Sequence, residues 1–176
     1  MSLGNVKRGD TPNKFNVIIE IPANSGTIKY EVDKETQCLT VDRLMKTSLQ
    51  YPANYGYVPH TLCGDGDPLD VLVITPEPLV PGCVIEARPV GVLRMVDEAG
   101  EDAKLLALPT EKACPILAGI QDISDVPELE LDRIKHFFEH YKDLDEGKWV
   151  KLDGYGDKAE ALDEVEDSIR IYDSKK

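Results

Sequence analysis

The stretch GDGDPLDVLVITPEPL places Asp65, Asp67 and Asp70 within six residues, on a turn of glycine and proline that leads into an apolar run. Two carboxylates about 4 Å apart repel by roughly 4 kcal/mol at an effective dielectric of 20, so a fold that gathers them needs a counter-charge. A plain turn uses one Asp and one Gly, which leaves two acids surplus. A calcium loop of the EF-hand kind wants Gly sixth and Glu twelfth; counted from Asp65, those places hold Asp70 and Pro76. The reading left is a site for hard divalent cations such as Mg²⁺, which take carboxylate, water and phosphate oxygens.

A second cluster, VDEAGEDAK, sets Asp97, Glu98, Glu101 and Asp102 around Ala99-Gly100, with Lys104 just beyond. Alone it reads as an acidic hairpin tip. Folded against the first turn, it would bring five or more carboxylates around several metals, as metal-assisted displacement at phosphorus requires. Cations and phenols are scattered to match. Lys29 and Glu31 share one face of a strand, Arg43 ends the next, and Tyr51, Tyr55 and Tyr57 lie on a Pro/Gly-rich loop before Tyr141-Lys142 closes a helix. Each cation taken singly is a solvated surface charge. Together they suggest a cage for a small polyanion.

His136, Glu139 and His140 also satisfy H-x-x-E-H, an inverted zinc-protease pattern. Without a third ligand of clear identity, a packing or subunit surface is the stronger reading. G-x-x-x-x-G-K-[ST], G-x-G-x-x-G and G-x-S-x-G are all absent from the sequence, which sets nucleotide-driven, dinucleotide-dependent and serine-hydrolase chemistry aside.

The elements that must position these residues fit one domain over 1–176, 41% hydrophobic and 30% charged. The formal charge of −13 argues against nucleic acid as a partner, since that demands a basic face. No apolar run reaches the ~20 residues that span a bilayer. MSLGNVKRGDTPN lacks a signal peptide's apolar middle, and the four cysteines are far apart, so a cytoplasmic protein with reduced thiols is expected. KFNVIIEIP and TIKYEVD read as strands joined by ANSG, with QCLTVDRL continuing the sheet. DVLVIT is a buried strand, and CVIEARPVGVLRMVD and AKLLALP are a bent strand and its partner. Ile134, Phe137, Phe138, Tyr141 and Leu144 fall on one helical face. KWVKLDGYG is a last strand, and Ala159, Leu162, Val165, Ile169 and Tyr172 mark a second helix. The order predicts an α+β fold: a small, twisted, mostly antiparallel OB-like β-barrel with two packed C-terminal helices.

DGDPLDV, EIPANSGTIKYE, VDR, YPANYGYVPHTL, RPVGVLRMVDEAGEDAK, HFFEHYKDL and KWVK together resemble the soluble inorganic pyrophosphatases of the metal-dependent, barrel-fold type, over nearly the whole chain. The short chain is similar to the bacterial branch, which implies a homo-oligomer, a hexamer. The resemblance implies several Mg²⁺ ions, with Asp65, Asp70 and Asp102 at the first and Asp70 shared with the second. It implies Asp67 as general base for the metal-activated water, Asp97 and Asp102 as ligands of a substrate-borne metal, and Glu20 and Glu31 as outer or metal-linked acids. Lys29, Arg43, Tyr55, Lys104, Tyr141 and Lys142 would hold the two phosphates of inorganic diphosphate, with Tyr51 and Glu98 in support. His136, His140 and Asp143 are expected at a subunit contact with a pH-sensitive His–Asp interaction. A broader phosphoanhydride hydrolase and a non-catalytic acidic metal-binding module are the rival readings.

Overall fold

The computed structural model describes residues 2–175. Nine strands and two α-helices follow in the order β1 (Phe15–Ile21), β2 (Ile28–Val32), β3 (Leu39–Leu44), β4 (Asn54–Tyr57), β5 (Asp70–Val73), β6 (Val84–Asp97), β7 (Gly100–Glu101), β8 (Lys104–Pro109), α1 (Glu128–His140), β9 (Val150–Gly156) and α2 (Lys158–Ser174). The main sheet runs β1-β4-β5-β8-β6, and β6 returns to pair with β1, so five strands close into a ring. Every pairing in the ring is antiparallel except β5 with β8. The predicted OB-like barrel is the fold observed.

Closure depends on β6. Its first residues pair with β1, its middle with β8 and its last with β9 and β7, and the register slips between Pro89 and Gly91 and again between Arg94 and Met95. Such slips bend and twist a strand, letting one 14-residue run serve several neighbours.

Beyond their first residues, Asp70 and Lys104, strands β5 and β8 are buried on both faces, which explains their continuous apolar runs. Val71, Val73, Leu105 and Ala107 join a cluster that α2 covers with Ala161 and Val165. Leu72, Leu106 and Leu108 join another, covered by Ile134, Phe137 and Phe138 of α1. Helix α2 opens on a capping box, with Asp157 accepting from the Glu160 amide at 3.0 Å and Glu160 accepting from the Asp157 amide at 2.9 Å.

The elements differ from expectation in four places. Tyr55 and Tyr57, expected on a loop, lie on strand β4. Strands β2 and β3 form a separate two-stranded sheet, because β4 and β6 already occupy the two edges of β1. Ala159 faces solvent, and the buried stripe of α2 runs through Ala161, Val165 and Ser168. Leu144 lies beyond the end of α1 and is exposed, so the apolar spacing outruns the helix that carries it.

Candidate active site

The parallel register of β5 and β8 sets Asp70 opposite Lys104. Lys104 Nζ donates to Asp70 Oδ2 at 2.6 Å and to the Tyr55 hydroxyl at 3.2 Å, and lies 2.7 Å from Asp102 Oδ1. Burial opposes a charge here, but Asp70, Tyr55 and Asp102 outweigh it and hold the ammonium well above its usual pKa. Burial raises the pKa of Asp102, with Lys104 pulling the other way. Burial also lifts the Tyr55 and Tyr51 phenols, so both stay protonated hydrogen-bond donors. Tyr51 packs 5.0 Å from Tyr55 and 4.4 Å from Phe137, ring centre to ring centre, which ties this wall to the core.

The first acidic turn leads into β5. Gly66 takes φ +90°, a conformation that side chains disfavour, and Asp65 Oδ1 accepts from the Asp67 amide at 2.9 Å. Asp67 is thereby presented to solvent, where its Oδ1 accepts from Lys34 Nζ at 2.6 Å. The second turn carries Gly100 at φ +124°, and Asp97 Oδ1 accepts from the Ala99 amide at 2.8 Å. Lys142, just past α1, donates to Asp97 Oδ2 at 2.8 Å and to Glu98 Oε1 at 3.4 Å. Partial burial disfavours the Glu98 charge, yet Lys148 at 2.9 Å, backbone amides and Lys142 prevail and bring its pKa down to about 2.

The two turns face one cleft of about 660 Å³. Asp65, Asp67, Asp70, Asp97, Glu98 and Asp102 line it, as do Lys29, Arg43, Tyr51, Tyr55, Lys104, Tyr141 and Lys142. Lys29 and Arg43 are directly opposite in the β2–β3 hairpin, a repulsive pairing bridged by Asp42 at 3.2 and 3.3 Å. Tyr141 caps α1 and stacks on Phe137. Glu20 and Glu31 are placed elsewhere. They line an adjoining chamber of about 330 Å³ that shares Lys29, Tyr55, Asp67 and Asp70 with the cleft. Glu20 accepts from the Val32 amide at 2.7 Å, joining the barrel to the hairpin, and burial lifts its carboxyl to about 8.

His136 and His140 stay outside both cavities, exposed on α1 with rings 4.8 Å apart, and His140 Nδ1 is 2.8 Å from Asp143 Oδ2. Sequence reasoning missed Lys34, Asp42 and Lys148. Asp42 adjoins Arg43 and offered a local hint. The partner of Lys34 lies 33 residues away and offered none.

Among the described residues, no three His, Cys, Asp or Glu side chains are already arranged to hold a metal ion. Lys104 takes the carboxylate oxygens of Asp70 and Asp102 instead. The donors nevertheless suit a hard cation. All are carboxylates, and the cleft has nine of them against six cationic side chains. Such a surplus repels a polyanion unless further positive charge enters with it.

Fold and cleft thus define a small OB-like barrel protein with one face where carboxylates, cationic side chains and phenols converge. The family model described as inorganic pyrophosphatase matches residues 17–173. The inorganic pyrophosphatase of Ralstonia nicotianae is 57% identical over 98% of this chain and 99% of its own. Among solved structures, the Coxiella burnetii inorganic pyrophosphatase is similar at TM-score 0.93 and 55% identity, over 95% of this chain and 99% of that one. The Thermus thermophilus inorganic pyrophosphatase is similar at TM-score 0.93 and 44% identity, over 98% and 99%. The chain belongs to the inorganic pyrophosphatase family.

Proposed function

We propose that this protein hydrolyses inorganic diphosphate to two phosphates by direct attack of water, with Mg²⁺ as its divalent cation and Asp67 as the general base. The observation that carries this reading is the single cleft in which nine carboxylates and six cations meet. Asp65, Asp70 and Asp102 would hold the catalytic cations, and Asp97 with Asp102 one that arrives with the substrate. Glu31 and Glu20 act from the adjoining chamber as outer acids, and Glu98 supports Lys142. When bound, Mg²⁺ supplies Lewis acidity, lowering the pKa of a water and offsetting charge on the diphosphate.

The chain's own groups do the rest. Lys29, Arg43, Lys104 and Lys142 neutralise phosphate oxygens, and the phenols of Tyr55 and Tyr141 donate to them, with Tyr51 bracing Tyr55. Asp67, exposed on its turn where it also pairs with Lys34, takes the proton. No covalent intermediate is needed.

We also place the protein in the cytoplasm, where its four free cysteines remain reduced. The assembly we infer is a homohexamer, with His136, His140 and Asp143 at a contact between subunits. One unchanged mass from neutral pH to ~5, across the histidine range, would remove the pH-sensitive part of that contact. Phosphate release from diphosphate, ATP and polyphosphate, with Mg²⁺ and then with chelator, tests the activity. Release from diphosphate that chelator abolishes is expected. Equal release from all three substrates favours a broader phosphoanhydride hydrolase, and release from none favours a binding module.

A further inference from the structure

The turn between β2 and β3 is tightly hydrogen-bonded. Asp33 Oδ1 accepts from the Thr36 amide at 2.6 Å, the Thr36 hydroxyl at 2.7 Å and the Glu35 amide at 3.2 Å. Gln37, at φ +57°, sends its amide to the Asp33 carbonyl at 2.8 Å and its side-chain nitrogen to the Lys34 carbonyl at 2.8 Å. From this fixed base Lys34 reaches across to Asp67, with Nζ 2.6 Å from Oδ1. The pair is 64% and 58% exposed. Exposed pairs contribute little to stability, so the fold gains little from it. Its position is more informative. Lys34 lines the smaller chamber, and Asp67 lines both that chamber and the cleft. A tethered positive charge therefore stands over the acidic turn, where chamber and cleft meet.

We propose that Lys34 is a tethered counter-ion of the Asp65–Asp70 turn: it holds Asp67 while the site lacks divalent cations and opposes their binding until it swings away. This rests on the functional reading above. An ammonium on Asp67 satisfies one carboxylate oxygen and reduces the negative potential that draws a divalent ion to Asp65 and Asp70. Its hydrogen bond to Asp67 keeps the Lys34 proton more firmly held than usual, so the charge persists across the working range of pH. Lys104 differs, because leaving Asp70 and Asp102 before a cation replaces it would strand charges in a buried wall. Lys34 can turn to water at little cost. In this role it is a positioning residue, acting through Asp67.

The test is calorimetric titration of Mn²⁺ into the whole protein without diphosphate, for wild type, Lys34→Gln, Lys34→Arg and Lys135→Gln. Lys135 lies on α1 beside Glu139 and controls for the same loss of net charge. Lys34→Gln is expected to bind Mn²⁺ about fivefold more tightly, the scale of one exposed ion pair. Lys34→Arg and Lys135→Gln should match wild type, and the thermal midpoint of metal-free Lys34→Gln should stay near that of wild type. Equal or weaker binding by Lys34→Gln, or an equal gain in Lys135→Gln or Lys34→Arg, overturns the inference alone. Absence of Mn²⁺ binding in every variant overturns it together with the functional reading.

Discussion

Two lysines hold aspartates of the acidic turns in opposite surroundings. Lys104 meets Asp70 and Asp102 at 2.6 and 2.7 Å with its side chain 5% exposed, whereas Lys34 meets Asp67 at 2.6 Å with its side chain 64% exposed. The distances barely differ, but the energetics do. Within the wall each charge depends on its partner, since removing one leaves the other desolvated. On the turn, water replaces either partner. The buried set therefore fixes geometry, while the exposed set is left to move. A site that must load cations and release two anions needs both.

The largest effect should come from the exposed side. Asp67→Asn should slow turnover by about 10²–10⁴, the usual contribution of a general base, with the loss easing at high pH where hydroxide is plentiful. Near-normal rates at neutral pH would take the role away from Asp67. Lys104→Met tests the buried side. In metal-free protein it should lower stability to urea by about 3–5 kcal/mol, partly recovered by a divalent cation. Lys34→Met should cost under about 1 kcal/mol, and equal losses in the two variants would erase the contrast.

Glu20 sharpens the contrast through pH. Its folded carboxyl lies near 8 against an ordinary 4.5, so the folded state binds that proton more tightly. Stability from this group is full below about 4.5 and declines as pH rises through 8, by on the order of a few kcal/mol in metal-free protein. Glu20→Gln should flatten that decline, and an unchanged slope would mean that the carboxyl is already ionised at neutral pH. Glu98 has the opposite sign. Its folded pKa is about 2, so its contribution is present above about 4.5 and disappears as pH falls toward 2. Being partly exposed, it should contribute no more than about 1 kcal/mol, measured as the acid-side difference between wild type and Glu98→Gln.

The barrel was legible because its apolar runs alternate with turn residues, and because β5 and β8 carry the continuous apolar runs of doubly buried strands. The local pattern of a strand does not reveal which edges meet. TIKYEVD reads the same whether it extends the main sheet or folds back on β3, and the outcome depends on β6 bending round to β1. The acidic turns announced themselves through surplus carboxylates, and the cleft does gather Asp65, Asp67, Asp70, Asp97 and Asp102. The cations were harder to rank. Nothing in the sequence distinguishes Lys34 from any other turn lysine, and the burial of Lys104 follows from a strand register that residue types alone do not reveal.

The most direct measurement is a crystal structure of the protein with Mn²⁺ and phosphate, with the metal located by its anomalous signal. Mn²⁺ is expected in the cleft on carboxylate oxygens of Asp70 and Asp102, with Lys104 drawn off at least one of them and phosphate against Lys29, Arg43 and Tyr141. Loaded crystals with no metal in the cleft, and with Lys104 still on both aspartates, would contradict this expectation.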